Sequence, residues 1–420
     1  MFKGHPSGLF VLAFANLGER FGYYTMLAIF TLFLQDHFFW DESQAAAVYG
    51  IFLAAIYSAP LLGGLIADAW LGYGKTVTLG LIVMTIGYLL LSQTGASPLP
   101  MYIALGVIAL GVGLFKGNLA VIVGNLYEKS SVSHLRDAAF NIFYMFINIG
   151  AMFAPHAARY LKNRMMLSQG YEYDSGLPYM AHSLLNGSQL SAEGLERLTA
   201  LATQKGESVE AFARGYIDAL SGGYTLGFAA AGVSMVLSLV IFIAMRNRYK
   251  SADYMQKNRP ASDIAEKELT PKQTRDRVVA LLLVFLIVIF FWMAFHQNGS
   301  TLTFFAKNYT SLSVGRYTYL LFTIPTLLAI FSVILGSVAM FTKTASKSLK
   351  GLGALFTAAG LGYLAYNLFS LSDRNRIDPE LFQAFNPCLW SFLRLWWWAI
   401  FPGLTRRGRS PLPRKRLVSG

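Results

Sequence analysis

Charge is what this chain has least of. Asp, Glu, Lys and Arg make up 14% of its 420 residues, against roughly 25% in soluble globular proteins. So few ionic side chains cannot build a wetted surface, which excludes a soluble domain. Cysteine is nearly missing as well. The single Cys388 rules out an intrachain disulfide and any cysteine-based metal site. There is no glycine-rich loop ending in Lys-Ser/Thr, no paired metal-ligand histidine and no Gly-x-Ser-x-Gly elbow. No nucleophile, metal site or acid–base pair clusters toward one membrane face, so an enzyme is not expected. Disorder, collagen-like repeats and a coiled coil are excluded by what takes the place of charge. There are 32 Phe and 22 Tyr, 55% of residues are hydrophobic, and the mean hydropathy is +0.45.

What is present is a series of continuous apolar runs near 20 residues long. A helix needs ~20 residues to cross a bilayer, whereas barrel strands need ~10 alternating ones. The expected class is therefore an all-α, polytopic membrane protein. Spans are predicted near 8–35, 47–68, 76–94, 101–125, 139–161, 223–245, 278–304, 318–341, 351–370 and 388–404. The N-terminal stretch reads as an uncleaved first span, because Glu19 and Arg20 interrupt it and no small-x-small cleavage site follows.

The acid shortfall, 22 against 35 basic residues and a net charge of +13, would suggest nucleic acid in a soluble protein. Here it fits cationic cytoplasmic loops, and no nucleic-acid partner is expected. Lys75, Lys129, Arg136 and Lys343, Lys347 and Lys350 fall in short links, and Arg246, Arg248 and Lys250 open a basic stretch, while 36–46 and 95–100 hold no Lys or Arg. This alternation puts the N-terminus and residues 247–277 in the cytoplasm of a protein in the cell's inner, cytoplasmic membrane. The predicted organisation is a six-helix bundle over 1–246, with an extracytoplasmic loop at 162–222 that carries a small helix within Ser191–Leu220. A cytoplasmic linker follows at 247–277, then a partial second bundle over 278–387, and an atypical tail over 388–420. The lipid bilayer is one expected partner, and the chain is expected to be monomeric.

Polar groups inside apolar spans are costly, about 2.5–3.5 kcal/mol each for a charge at the centre. Asn16, Glu19, Arg20, Tyr23 and Leu27 share one helical stripe that must face the bundle interior. Lys116 stands in the apolar fourth span, with Glu19 as its candidate partner and Arg20 competing for the same carboxylate. Two readings follow from these residues: a proton exchanged against a salt bridge, or an ion pair that only holds helices together. His296, near the middle of the seventh predicted span, is either a titrating group or a packing residue. Tyr57 and Asn148 are further polar groups within spans, with Tyr57 also readable as an interfacial aromatic. Gly63, Gly64, Asp68, Gly72 and Lys75 close the second span. Their small residues allow close helix approach, Asp68 is placed to cap a neighbouring helix, and the set reads as a gate and topology element.

Several of these stretches resemble the proton-dependent oligopeptide transporter family of the major facilitator superfamily. Glu19-Arg20-Phe21-Gly22-Tyr23-Tyr24 is similar to its first-helix motif, and Gly63 to Gly72 to its Gly-Gly-x-x-Ala-Asp element. Phe140 to Ala151 is similar to its fifth-helix signature, and Lys116 stands where the family has a fourth-helix lysine. Phe291-Trp292, Gln297-x-Gly299-Ser300 and Phe382-Gln383-x-x-Asn386-Pro387 are similar to seventh- and eighth-helix elements. The resemblance implies symport of di- and tripeptides with protons by alternating access, with no cofactor beyond the coupling proton. It implies that Glu19, Arg20 and Lys116 couple proton movement to gating, and that Tyr23, Tyr24, Tyr57, Lys116, Asn148, Trp292 and Asn386 contact the peptide. The alternatives are a non-transporting remnant, or a carrier of another small solute such as an amino acid or nitrate.

The chain departs from the family in places. Asn16 replaces the motif's first Glu, Leu27 replaces an Arg, and His296 replaces an acid. The last two family residues can pair across the cavity mouth, and losing both together avoids stranding a buried charge. The expectation is an outer gate that closes without that pair, with His296 taking part in proton handling. The segments 318–341 and 351–370 look inserted. Beyond Pro387 the resemblance stops, and Cys388 to Trp398 with six basic residues between Arg406 and Arg416 reads as a truncated or frameshifted terminus. Translation of the other two frames of the coding DNA should then reveal family-like helices.

Overall fold

The computed structural model describes residues 4–255, 270–341 and 346–390. Nearly all of this is helix. The helices of eight or more residues are α1 (Ser7–Phe38), α2 (Glu42–Ile66), α3 (Tyr73–Leu91), α4 (Leu99–Asn125), α5 (Arg136–Ser168), α6 (Leu177–Leu185), α7 (Ala192–Lys205) and α8 (Val209–Ala244). They continue with α9 (Pro271–His296), α10 (Thr301–Tyr309), α11 (Ile324–Phe341) and α12 (Lys347–Ser370). Local chemistry sets many of the starts. Asp41, Ser191, Ser208 and Ser346 accept amide hydrogen bonds at the starts of α2, α7, α8 and α12. At α9, Thr270 and Gln273 form a capping box, and Pro271 occupies the first turn, where its missing N–H costs nothing.

Among the described residues, eight helical stretches are long and apolar enough to cross a membrane. The predicted spans up to residue 370 fall on helical stretches, the one at 278–304 crossing from α9 through the turn Gln297–Gly299 into α10, and the chain is an all-α, multi-pass membrane protein. α1 falls short of that composition because of Glu19, Arg20 and Asp36, yet at 32 residues it is about 48 Å long. Most of its residues are buried by neighbouring helices, so it has little lipid-facing surface that would demand apolar side chains. The stretch Pro271–Tyr309 is the opposite case: its most apolar window has a mean hydropathy of 3.2 and none of it is buried.

Three details differ from the sequence expectations. The predicted loop 162–222 is largely helical, holding the end of α5, all of α6 and α7, and the first turns of α8. The small helix expected within Ser191–Leu220 is two elements, because Gly206 takes a left-handed φ of 76° that ends α7, and Ser208 caps α8. The span predicted from 318 begins at Ile324, since Arg316–Tyr319 and Leu320–Phe322 form separate short turns. The tenth predicted span, 388–404, and the basic tail lie outside the described residues except for 388–390.

The described residues form two compact units, one drawn from 4–310 with 378–384, the other from 311–377 with 385–390. In the first, α1 packs against α5 and α8, and α3 and α4 lie side by side. Glycines allow the closest approaches. A Cβ on Gly63 would lie 2.1 Å from the carbonyl oxygen of Gly113, and one on Gly113 would meet Ala59. Asn118 Nδ2 donates to the Gly63 carbonyl at 3.0 Å across the same contact. Gly63→Val is expected to cost about 1–3 kcal/mol by overpacking, whereas Gly64→Ala, facing open space, should stay within about 0.5 kcal/mol. Thermal unfolding in detergent compares them, and equal losses would refute this packing. In the second unit α11 and α12 form a hairpin. Its base is closed by two short antiparallel strands, β1 (Ser313–Val314) and β2 (Asn375–Arg376), with Ser313 opposite Arg376. Thus the segments that look inserted make their own helical pair.

Candidate functional site

In the first unit, four helices bring most of the predicted polar residues together. Arg20 donates through Nε and Nη2 to the two oxygens of Glu19, both at 2.5 Å. Glu19 is fully buried and Arg20 nearly so. Adjacent residues on a helix do not normally face each other, but the long guanidinium stem folds back, and the bidentate geometry satisfies both carboxylate oxygens. The Arg20 guanidinium also lies 4.6 Å from the Tyr23 ring centre, and Tyr23 packs edge-on against Tyr24. Gly150 of α5 lets that helix approach the α1 backbone at Leu17 and Phe21, beside this pair.

Lys116, on α4, is half-buried and takes a different partner from the expected one. Its Nζ stands 3.9 Å over the ring of Tyr57 from α2, while Glu19 is held by Arg20. Lys116 still interacts electrostatically with both Glu19 and Arg20. Tyr57 in turn meets two residues of α9, His296 edge-on at 5.1 Å and Trp292 at 5.9 Å, and those two rings stack on each other. The result is one carboxylate and two cations beside an aromatic group drawn from α1, α2 and α9. Among the described residues, Asn16 Nδ2, Tyr23 Oη and His296 Nε2 find no hydrogen-bond partner. Unsatisfied buried polar groups are costly and in native proteins need an explanation.

The other predicted residues take no part in these contacts or do other work. Asn148 is half-buried on α5 and makes none of these contacts. Asn386 lies in the second unit. Gly63 serves the α2–α4 contact. Gly72 has φ 77° and turns the chain from the π-helical turn Ala67–Leu71 into α3. Asp68 accepts from the Tyr73 hydroxyl at 2.5 Å. The capping role expected of it at α3 belongs to Asp253, whose Oδ1 accepts from the Gly74 amide at 2.7 Å.

A second polar cluster was not anticipated from the sequence. Asp36, near the end of α1, accepts from Lys307 Nζ of α10 at 2.8 Å and from the Tyr224 hydroxyl of α8 at 2.6 Å. Lys162 of α5, fully buried, donates to the equally buried Glu380 at 2.6 Å and stands 3.4 Å over the Tyr173 ring. Arg159 and Asn163 hold Asp378 at 2.9 and 2.8 Å. Lys162 also faces the Tyr224 ring at 5.9 Å, so both groups form one network joining α1, α5, α8, α10 and residues 378–384. Burial pushes Asp378 upward, but Lys162, Arg159 and Asn163 together outweigh it and hold this carboxyl below its ordinary value. Burial dominates at Glu380 and raises it, with Lys162 offsetting part of the effect. The sequence signal was faint: Lys162 and Lys307 are cations beside predicted span ends, with nothing in their neighbourhood to name a partner.

Residues 74–267 match the family described as PTR2, POT family. The chain is also 30% identical over 338 residues to the uncharacterized transporter YclF of Bacillus subtilis, covering 75% of this chain and 63% of YclF. The chain is thus similar to the POT family over residues 74–267, a little under half of its length. Peptide transporter YePEPT of Yersinia enterocolitica is 26% identical over 394 residues, 87% of this chain and 74% of that one. Dipeptide and tripeptide permease B of Shigella dysenteriae is 36% identical over 166 residues, 40% and 34% of the two chains. The chain therefore spans less than two thirds of YclF and about a third of the permease. By their names these relatives are transporters and permeases, not enzymes. Among solved structures, a POT family transporter in complex with 5-aminolevulinic acid overlays with a TM-score of 0.47 at 20% identity, covering 98% of this chain and 73% of that one.

Proposed function

We propose that the chain carries di- and tripeptides across the cytoplasmic membrane together with protons, by alternating access. The observation that carries this reading is the buried Glu19–Arg20 pair with Lys116 and the aromatic group of Tyr23, Tyr57, Trp292 and His296 beside it. One carboxylate shared between two cations is a site that can exchange a proton for a ligand. Neutralising Glu19 frees the Arg20 guanidinium and leaves two uncompensated cations facing the aromatic rings. Such a charge state is costly in a low-dielectric interior, and a peptide carboxylate offsets it, so proton and peptide favour each other's binding. Tyr23, Tyr57 and Trp292 offer flat apolar surface to varied side chains, and Tyr24 and Asn148 complete the proposed peptide contacts within the first unit. Inward movement of one positive charge through ~100 mV supplies ~2.3 kcal/mol, enough to concentrate the peptide about fifty-fold.

The proposed orientation has the N-terminus in the cytoplasm and the Asp36–Lys307 and Lys162–Glu380 network outside. In this reading that network closes the outer end where Leu27 and His296 leave no ion pair. Uptake of a labelled dipeptide into vesicles under an imposed proton gradient tests the proposal. Competition by unlabelled dipeptides is expected. Competition only by amino acids or nitrate would replace the substrate class, and a well-folded protein without uptake would point to a non-transporting remnant. His296→Gln is expected to shift the pH profile of uptake, since Nε2 borders Tyr57 and Lys116 without a fixed partner. An unchanged profile would remove His296 from proton handling.

A further inference from the structure

At the basic end of the first unit, α3 and α8 diverge and leave a crevice of about 290 Å³. Its walls are apolar, formed by Leu79 and Ile82 on α3 and by Phe242 and Ile243 on α8, and Lys75 and Arg246 stand at its edge. Beyond it the same helix faces continue as an exposed apolar stripe, with Ile86 and Leu90 on α3 and Val236 and Val240 on α8. Spacings of three and four residues keep each stripe on one face, and in a multi-pass protein such a face meets lipid.

The two cations differ in what surrounds them. Lys75 has no ion-pair partner among the described residues. Arg246 reaches Asp253 only at 3.4 Å and its side chain is 62% exposed. Asp253 has one oxygen toward Arg246, and its other oxygen is occupied by the Gly74 amide at the start of α3. That leaves an excess positive charge directly above an apolar groove. We propose that this crevice binds an anionic phospholipid, with its phosphate between Lys75 and Arg246 and one acyl chain along the stripe between α3 and α8. Neutral lipids offer the chain but not the net negative charge, and a free anion offers the charge but not the chain. Basic pockets between membrane helices on the cytoplasmic side are suited to this kind of headgroup. The inference rests on the membrane-embedded fold and not on the transport reading.

Native mass spectrometry of the full chain in non-ionic detergent, titrated with dioleoyl-phosphatidylglycerol or dioleoyl-phosphatidylcholine, tests it. The anionic lipid is expected to bind at least about tenfold more tightly, each cation contributing about fivefold. The double variant Lys75→Gln, Arg246→Gln should bind both lipids alike. Leu79→Trp, which fills the crevice and leaves both charges, should weaken the anionic lipid as well. If the double variant is misfolded by thermal unfolding, Lys75→Gln alone decides, because Lys75 has no ion-pair partner among the described residues. Equal retention of the two lipids by the unaltered chain, or undiminished retention of phosphatidylglycerol by the variants, would overturn the proposal. So would displacement of the lipid by millimolar inorganic phosphate, which would make this a free-anion site.

Discussion

Replacing Lys162 by methionine is expected to cost about 3–5 kcal/mol of stability, because it strands two buried carboxylates. Lys162 and Glu380 are both fully excluded from solvent, and Lys162 also lies 3.9 Å from Asp378. Methionine keeps the volume and the packing against Tyr173, so the loss measures charge and hydrogen bonding. Arg159 still serves Asp378 in the variant, but Glu380 keeps no cation. The deficit should be pH dependent. A carboxyl buried without a cation has a folded-state pKa above its unfolded value near 4.3. It therefore binds protons more readily when folded, and folding gains stability as pH falls through that raised value. The variant is thus expected to lie farthest below the unaltered chain near pH 8 and to recover part of the gap toward about pH 5. Thermal unfolding in detergent at both pH values is the measurement. A deficit under about 1 kcal/mol, or one that grows on acidification, would refute the assignment of this network as a stabilising ionic latch.

The second large effect is expected at Glu19. Glu19→Gln keeps the shape and can still accept one Arg20 hydrogen bond, but it cannot take up and release a proton near neutral pH. Accumulation of a dipeptide driven by a proton gradient is expected to fall from about fifty-fold to none, the thermodynamic value of one coupled charge at ~100 mV. Exchange of labelled for unlabelled dipeptide across vesicles should persist, since exchange needs binding and gating but no net proton movement. This split separates coupling from mere helix glue. If Glu19 only ties helices together, loss of accumulation and loss of exchange should travel with loss of folding. Accumulation that survives in Glu19→Gln would exclude this carboxylate from coupling.

Much of the proposed site was legible in the residues because its main signals are local. Glu19 and Arg20 stand in an apolar helix where a charge has to be used or paired, and Lys116 is conspicuous for the same reason. The pairing itself was not legible. Glu19 reaches its neighbour Arg20, and Lys116 settles over Tyr57, which depends on how α2 and α4 meet at Gly63 and Gly113. His296 and Trp292 were found through the seventh-span motif, but their stacking against Tyr57 depends on where α9 lies. Asp68 shows the opposite failure. A carboxylate near a helix start looked like a cap, yet its nearest donor was the Tyr73 hydroxyl, and Asp253, 179 residues from Gly74, took the capping position.

By itself the sequence determined the membrane class, the helix positions and the placement of polar residues inside spans. Each of these is a property of 20 or so consecutive residues weighed against hydrocarbon, so the solvent reads it directly from the chain. Only the tertiary structure decided which charges meet. Lys162 and Glu380 are 218 residues apart and Asp36 and Lys307 are 271 apart, and in isolation each is an ordinary ionic residue near a helix end. An ion pair exists only after packing has removed water from both partners. That removal belongs to the arrangement of α1, α5, α8 and α10 rather than to any one of their sequences.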